Sequence, residues 1–311
     1  MAEKDIGEKT FIALNDVFAD IINGLIFCGE QVVTADSLED VNSFSQYKED
    51  AGKLHEQERD THKLWNGHNF SLYFGAENQT LPDKDMPFRI ISYDGASYRS
   101  QLLKTEEKTV AGKTKWIRSK KRFPVISIVL YFGEKPWRYP KSLVDSFNPP
   151  LQEDNYTQVL KKYIQDYKVH VFDIPRLSSE EVNRFQSDFK VVAEYFTHAY
   201  TDVDYVPEET VITHVDEFLK LMKVITGNNR YEEIAGTLSD EEKGKGVNMV
   251  DVLAYREALA DAKAEAKGEA KGEARLSSLI SLLLKQKKYE EIEKVTSNEK
   301  IRKEYYRIYN I

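Results

Sequence analysis

The chain has 311 residues, enough for one large core and an appendage, with 41% hydrophobic residues, 12% aromatics and a net charge of −8. This composition excludes a disordered chain, and no apolar run approaches the ~18 residues of a membrane-crossing helix. The single cysteine, Cys28, excludes an internal disulfide and a cysteine-based zinc site, and the acidic balance confines any nucleic-acid binding to a local basic patch.

The first residues, MAEKDIGEKT, are polar and mixed in charge and carry no signal-peptide pattern, so a cytoplasmic protein without a membrane partner is expected. Phe11–Phe27 reads as an amphipathic helix: Phe11, Leu14, Phe18, Ile21, Ile22 and Leu25 fall at helical spacing, and Gly29 is its stop. Cys28 lies in this apolar segment and is expected as a buried small hydrophobe. Asp16 and Asp20 sit at i, i+4, where a solvated acidic face is the plain reading. A short helix is expected after Ala35, capped by Asp36 or Ser37.

Arg59–Trp65 and Phe70–Thr80 read as a hairpin. In the second strand Phe70, Leu72, Phe74 and Ala76 alternate with Ser71, Tyr73, Gly75 and Glu77, which predicts one apolar face. An even-numbered loop places Asp60 on the face of Tyr73, Gly75 and Glu77. A two-residue loop at Asn66-Gly67 would set Asp60 opposite Tyr73, roughly 13 Å along the strand from Glu77. A four-residue loop, Asn66–Asn69, sets it opposite Gly75, roughly 7 Å along, where two carboxylates can converge on one divalent cation. The longer loop is therefore expected, with Gly75 leaving room for an ion or a backbone. Lys63 falls on the opposite face. His62 shares the Asp60 face, and His55, His62 and His68 cluster in sequence. Ordinary structural histidines are the plainer reading there, since no HxxxH helix supports a metal.

Asp85 and Pro87 open a helix with a stripe of Phe88, Ile91, Tyr98 and Leu102, and Gly95 on that stripe would allow close packing. Lys104–Arg122 is the most basic segment. Its Lys113, Lys115, Arg118, Lys120, Lys121 and Arg122, with Trp116 interleaved, could hold phosphates and stack on a base; a solvated loop or edge-strand guard explains them equally well. Pro124–Gly133 and Val169–Ile174 read as strands buried on both faces. Ser178 or Ser179 caps a long helix over Glu180–Tyr200, striped by Val182, Phe185, Phe189, Val192 and Phe196. Helices follow at Thr213–Ile225, ended by Gly227, and from Tyr231. This order suits a mixed sheet flanked by helices over residues 1–245. Residues 246–311 form a helical tail with the repeat AEAK GEAK GEAR at Ala264–Arg275 and a small terminal helical pair. The repeat sets acidic and basic columns about 200° apart. A homodimer contact through this tail is expected, with a semi-flexible linker as the alternative.

Asp60, then Glu77-Asn78-Gln79 at the end of the next strand, resembles the PD-(D/E)XK nuclease superfamily, with Gln79 where most members have a lysine. Together with MPFRIISYD after it, NDVFADIINGLIF near the start, YFGEKPWRYPKSL in the middle and GVNMVDVL before the tail, the chain is similar to the recombination-promoting nuclease (Rpn) family, also called PD-(D/E)XK family transposases. The resemblance implies a restriction-endonuclease-like α/β core and a DNA endonuclease that promotes recombination, linked to mobile elements or phage defence. It further implies Asp60 and Glu77 on Mg²⁺ (Mn²⁺ or Ca²⁺ also suit), with the Asn78 backbone carbonyl as a further ligand. Gln79 would position water or phosphate, and Asp20 would assist from the first helix. A DNA-binding module without catalysis and an assembly protein working through its tail are the alternatives.

Overall fold

The computed structural model describes residues 10–41, 44–48, 54–110, 113–148, 150–151, 154–200, 210–248, 275–283, 285–286 and 288–309. The chain divides into two compact units, Met1–Val250 and Asp251–Ile311.

In the first unit, helix α1 (Asn15–Leu25) buries Val17, Phe18, Ile21 and Ile22, as the helical spacing requires. It ends in a turn in which the Gly29 N–H donates to the Asn23 carbonyl, with Gly29 at φ 96°. Cys28 falls in that turn at φ 54° and is exposed, not buried: the helix has unwound before its side chain could reach the core. The helix expected after Ala35 is a single 3-10 turn, Ala35–Ser37. Ser37 Oγ bonds the Thr34 carbonyl and accepts from the Thr34 N–H, which closes a turn and hands the chain to strand β1 (Leu38–Asp40). Strands β2 (Phe44–Lys48) and β3 (Leu54–Glu58) pair with each other.

The main sheet adds β4 (Thr61–Asn66) and β5 (Ser71–Gln79). Next come helix α2 (Met86–Leu103), a separate two-stranded hairpin of β6 (Thr105–Val110) and β7 (Lys113–Arg118), and strand β8 (Val125–Tyr131). Helix α3 (Asn155–Lys161) leads to strand β9 (His170–Asp173). The sheet order is β1-β4-β5-β8-β9; the β5–β8 and β8–β9 pairs are parallel and the others antiparallel. It is a mixed sheet flanked by helices, as expected.

Helices cover both faces. Phe18 of α1 meets Phe74 edge-on, while Met86, Ile90 and Tyr93 of α2 pack with Val129 and Tyr131 of β8. Strand β5 is consequently buried on both faces, not on one: Leu72, Phe74 and Ala76 on the α1 side, Tyr73 and Glu77 on the α2 side. Strand β8 is buried as expected. Strand β9, expected to be equally covered, is half-buried because it closes the edge of the sheet.

The stripe predicted for α2 is corrected. Phe88, Tyr98 and Leu102 are exposed, and the buried side is Met86, Ile90, Tyr93, Asp94, Ser97 and Gln101. The polar members of that side are bonded: the Gln101 amide exchanges two hydrogen bonds with the Phe123 backbone, and Ser97 Oγ lies 3.3 Å from His62 Nε2. Gly95 faces open space instead of a close neighbour.

The long helix expected after Ser178 is broken. Ser178 and Glu181 form a capping box over Ser179–Val182 alone, and the chain resumes as α4 (Phe189–Ala199). The stripe nevertheless reaches the core, with Val182, Phe185, Phe189, Val192 and Phe196 buried. Helices α5 (Val215–Thr226), ending on Gly227 at φ 67°, and α6 (Arg230–Thr237) follow.

In the second unit the helix over 275–283 and the helices Tyr289–Ser297 and Glu299–Ile308 bury Leu279, Leu283 and Val295 together. The tail repeat lies outside the described residues up to Arg275, which sits over the Tyr306 ring at 4.6 Å. Among the described residues no helix is long and apolar enough to cross a membrane.

Candidate functional site

The β4–β5 register decides the geometry. The loop has four residues, Gly67–Phe70, so Asn66 faces Ser71 and Thr61 faces Ala76. This is two positions beyond the expected register, because Asn66 is the last residue of β4 and not the first of the loop. Asp60, just before β4, is thereby brought to the Glu77–Asn78 end of β5 and not to Gly75. Asp60 Oδ2 accepts the Asn78 N–H at 2.8 Å, a bond that fixes the carboxylate against the end of β5.

Glu77 points to the α2 side and is 1% exposed. Arg89, one turn into α2, donates from Nη2 to Glu77 Oε2 at 3.0 Å and from Nη1 to Asp83 Oδ2 at 3.0 Å. Glu77 Oε1 is buried with no hydrogen-bond partner. Burial first, and the charge of Asp60 second, push the Glu77 carboxyl up to about 8, against the lowering pull of Arg89, of Arg59 and of the Asp60 backbone N–H.

Behind Glu77 lies a buried ion network. Arg59 pairs with Asp94, which also accepts from Ser127 Oγ at 2.5 Å and from the Tyr167 hydroxyl. The Arg59 guanidinium lies 5.3 Å from the Tyr93 ring centroid and fills the space above Gly75, where an added Cβ would collide with it. The room that Gly75 leaves is thus taken by an arginine. Sequence reasoning misses Arg59, Arg89 and Asp94. The segment MPFR carries Arg89 and belongs to the family resemblance, but nothing local says that its arginine turns toward Glu77.

The other named residues separate. Gln79 alternates with Glu77 and shares its face, half-buried, while the Asn78 side chain takes the other face. Asp20 is 5% exposed and faces the break before α4. Its carboxylate accepts the N–H groups of Gln186 and Ser187 and the Ser187 hydroxyl, at 2.7 to 3.0 Å. Its bonds go to this cap, and the expectation that it joins Asp60 and Glu77 is corrected. Among the described residues no three His, Cys, Asp or Glu side chains are grouped to hold a metal. Lys63 is buried on the opposite face, bonded to Asn15 and Asp40, as the alternation requires.

The basic segment is the β6–β7 hairpin and its exit. Lys115, Arg118, Lys120 and Lys121 are exposed, and Trp116 is 68% exposed. Strand alternation puts Trp116 and Arg118 on one face and Lys115 on the other. Lys113 opens β7. Arg122 is turned onto the backbone, donating to the Ser119 carbonyl at 2.8 Å and to the Lys121 carbonyl at 2.5 Å.

Residues 61–229, more than half of the chain, match the family model described as Putative transposase, YhgA-like. No curated protein matches the chain, and no solved structure does.

Proposed function

The chain belongs to this YhgA-like transposase family, the Rpn type, and from that membership we propose that it is a metal-dependent DNA endonuclease with Asp60 and Glu77 as its cation ligands. The observation that carries the reading is Glu77 Oε1, buried with no hydrogen-bond partner in a site where the charge of a second carboxylate, Asp60, acts on it. A buried acceptor in that state is costly unless something fills it. The donor set fits a hard divalent cation, Mg²⁺ before Mn²⁺ or Ca²⁺, with the Asn78 carbonyl as a further oxygen ligand. When bound, such an ion supplies Lewis acidity at a phosphoryl oxygen and a more acidic water.

The chain's own residues have separate tasks. Asp60 is oriented by the Asn78 N–H. Glu77 is oriented by Arg89, whose side chain is 36% exposed and can also meet a phosphate. Gln79 is neutral and hydrogen-bonds a water or a phosphate oxygen. The positive charge that the superfamily's lysine would bring comes in this reading from Arg89 and Arg59. Lys113, Lys115, Arg118, Lys120 and Lys121 of the hairpin hold the DNA backbone. Promotion of recombination, in mobile elements or phage defence, and self-association through the tail repeat belong to the same reading.

The ion pair of Arg89 with Glu77 favours a second reading, in which the site is already neutralised and the protein binds DNA without cutting it. Supercoiled-plasmid cleavage with Mg²⁺, Mn²⁺, Ca²⁺ or EDTA, run with wild type and Glu77→Ala, separates them. Metal-dependent nicking that the variant lacks is expected. DNA binding with no cleavage under any metal would favour the second reading.

A further inference from the structure

Two buried polar side chains at the end of the β4–β5 pair have no hydrogen-bond partner among the described residues: the Thr61 hydroxyl, and the Asn78 amide at both its oxygen and its nitrogen. Thr61 is 3% exposed and Asn78 7%. Both lie on the α1 side of the sheet, away from Glu77. Thr61 pairs with Ala76, and Asn78 is the next residue of β5 on that face, so the two are diagonal neighbours. On the other edge of β5, Ala76 and Asn78 pair with the fully buried Ile128 and Leu130. The polar groups therefore sit in an apolar setting, where an unpaired hydroxyl or amide is costly.

Their spacing suits one bridging molecule. Diagonal positions are roughly 7 Å apart. The two side chains do not bond each other, and a water making two bonds of about 2.8 Å spans such a gap. A buried water makes about three hydrogen bonds, and a hydroxyl, an amide oxygen and an amide nitrogen supply them. Both groups are neutral, which suits water and not an ion.

Both residues also flank Asp60. Thr61 follows it in the chain, and the Asn78 N–H donates to Asp60 Oδ2 at 2.8 Å. The two backbone segments that set the Asp60 carboxylate are thus the ones whose side chains are left unpaired on the far face.

We propose that a buried water joins the Thr61 hydroxyl to the Asn78 amide on the α1 face, and that through it these two act as positioning residues for the Asp60 carboxylate. The bridge ties β4 to β5 just past their last backbone pair, Thr61 with Ala76. Asp60 is then held on one face of the sheet by a donor that is anchored on the other. The consequence for cation binding rests on the nuclease reading; the bridge itself does not.

The test is amide hydrogen exchange of the full chain in EDTA, for wild type, Thr61→Val and Thr61→Ser. Valine keeps the shape of threonine and removes the hydroxyl. Thr61→Val is expected to speed exchange at the Asn78 amide about tenfold, by easier local opening. The Tyr73 amide, bonded to the Pro124 carbonyl at 2.9 Å earlier in β5, should keep its wild-type rate. Thr61→Ser keeps the hydroxyl and is expected to exchange as wild type at both amides. Urea melts give a second reading. Thr61→Val should lower the midpoint, and adding Asn78→Leu should lower it no further, because the pair shares one water. An unbridged hydroxyl predicts the opposite sign, since removing it from an apolar site raises the midpoint. That sign, or unchanged Asn78 exchange in Thr61→Val, overturns the proposal. In calorimetric titrations Thr61→Val should bind Mg²⁺ about tenfold more weakly than wild type, and equal affinities would overturn the positioning role. Wild type that binds no divalent cation, with the exchange difference intact, would sink the nuclease reading and leave the bridge and its hold on Asp60 standing.

Discussion

Arg89 donates to one oxygen of Glu77 at 3.0 Å and leaves the other, Oε1, buried without a partner. One guanidinium therefore half-neutralises a carboxylate that burial and Asp60 both push toward its protonated form. That incomplete compensation, and the ion network behind it, should make the site sensitive to pH, to single substitutions and, in the nuclease reading, to a divalent cation.

Stability without metal should fall with pH. The folded state holds the Glu77 proton up to about 8, whereas the unfolded chain releases it in the ordinary carboxylate range. Between those limits the folded state binds more protons, so its advantage is fully present at low pH and is lost as pH rises through about 8. Melts in EDTA are expected to show wild type losing a few kcal/mol relative to Glu77→Gln over this window, at ~1.4 kcal/mol per pKa unit. Added Mg²⁺ should recover the loss for wild type and not for the variant. Parallel curves for the two proteins would count against a buried, unfilled carboxylate.

Arg89→Ala leaves Glu77 with no ion-pair partner at Oε2. Because the guanidinium is 36% exposed, the stability cost should be moderate, about 1–2 kcal/mol. Cleavage at saturating Mg²⁺ should slow by about tenfold or more if Arg89 also meets the phosphate. Arg89→Lys keeps the charge but not the fork that spans Glu77 and Asp83, and should be intermediate. Urea melts and single-turnover cleavage give the two quantities separately.

Asp94 is the shared acceptor of Arg59, Ser127 and Tyr167. Asp94→Ala strands a buried guanidinium and should cost about 3–5 kcal/mol in denaturant melts. Gly75→Ala drives a methyl group into the same guanidinium, which its bond to Asp94 prevents from retreating, and should cost about 2 kcal/mol. The two losses should not add in the double variant, because both act through Arg59.

Asp20→Asn should destabilise the fold by about 1–2 kcal/mol, through the Gln186 and Ser187 N–H groups that it caps. Its Mg²⁺ requirement for cleavage should match that of wild type at temperatures where both are folded. A metal affinity reduced as strongly as in Asp60→Asn would return Asp20 to the site.

Removing Lys115, Arg118, Lys120 and Lys121 singly should weaken DNA binding alike for any sequence and lower the salt slope by about one for each phosphate no longer neutralised. Trp116→Ala would change affinity without changing that slope if the ring stacks on a base. Anisotropy titrations at several salt concentrations distinguish the two effects.

How legible each part is in the sequence follows from how local its cause is. The hairpin, strand β8, the stripe Val182–Phe196 and the stop at Gly227 are readable because period and turn chemistry act within a few residues. The stripe of helix α2 is not, because its buried side carries Asp94, Ser97 and Gln101 beside Ile90 and Tyr93. Polarity in the sequence cannot announce that a partner arginine or backbone amide waits inside. The break before α4 is invisible for the same reason: the carboxylate that stabilises it is Asp20, on α1 and far away in the chain.

The sequence by itself determined that His62 shares the face of Tyr73, Gly75 and Glu77, because strand alternation and an even loop leave no other parity within β4 and β5. It also placed Lys63 on the other side. Tertiary structure decided everything that depends on which groups meet across elements. Asp60 reaches the Glu77–Asn78 end of β5 because β4 runs through Asn66. Arg59 fills the space above Gly75, and Arg89 takes one oxygen of Glu77 and leaves the other. Charge compensation in a buried site is a sum over neighbours from several elements, and no stretch of chain carries that sum in its own residues.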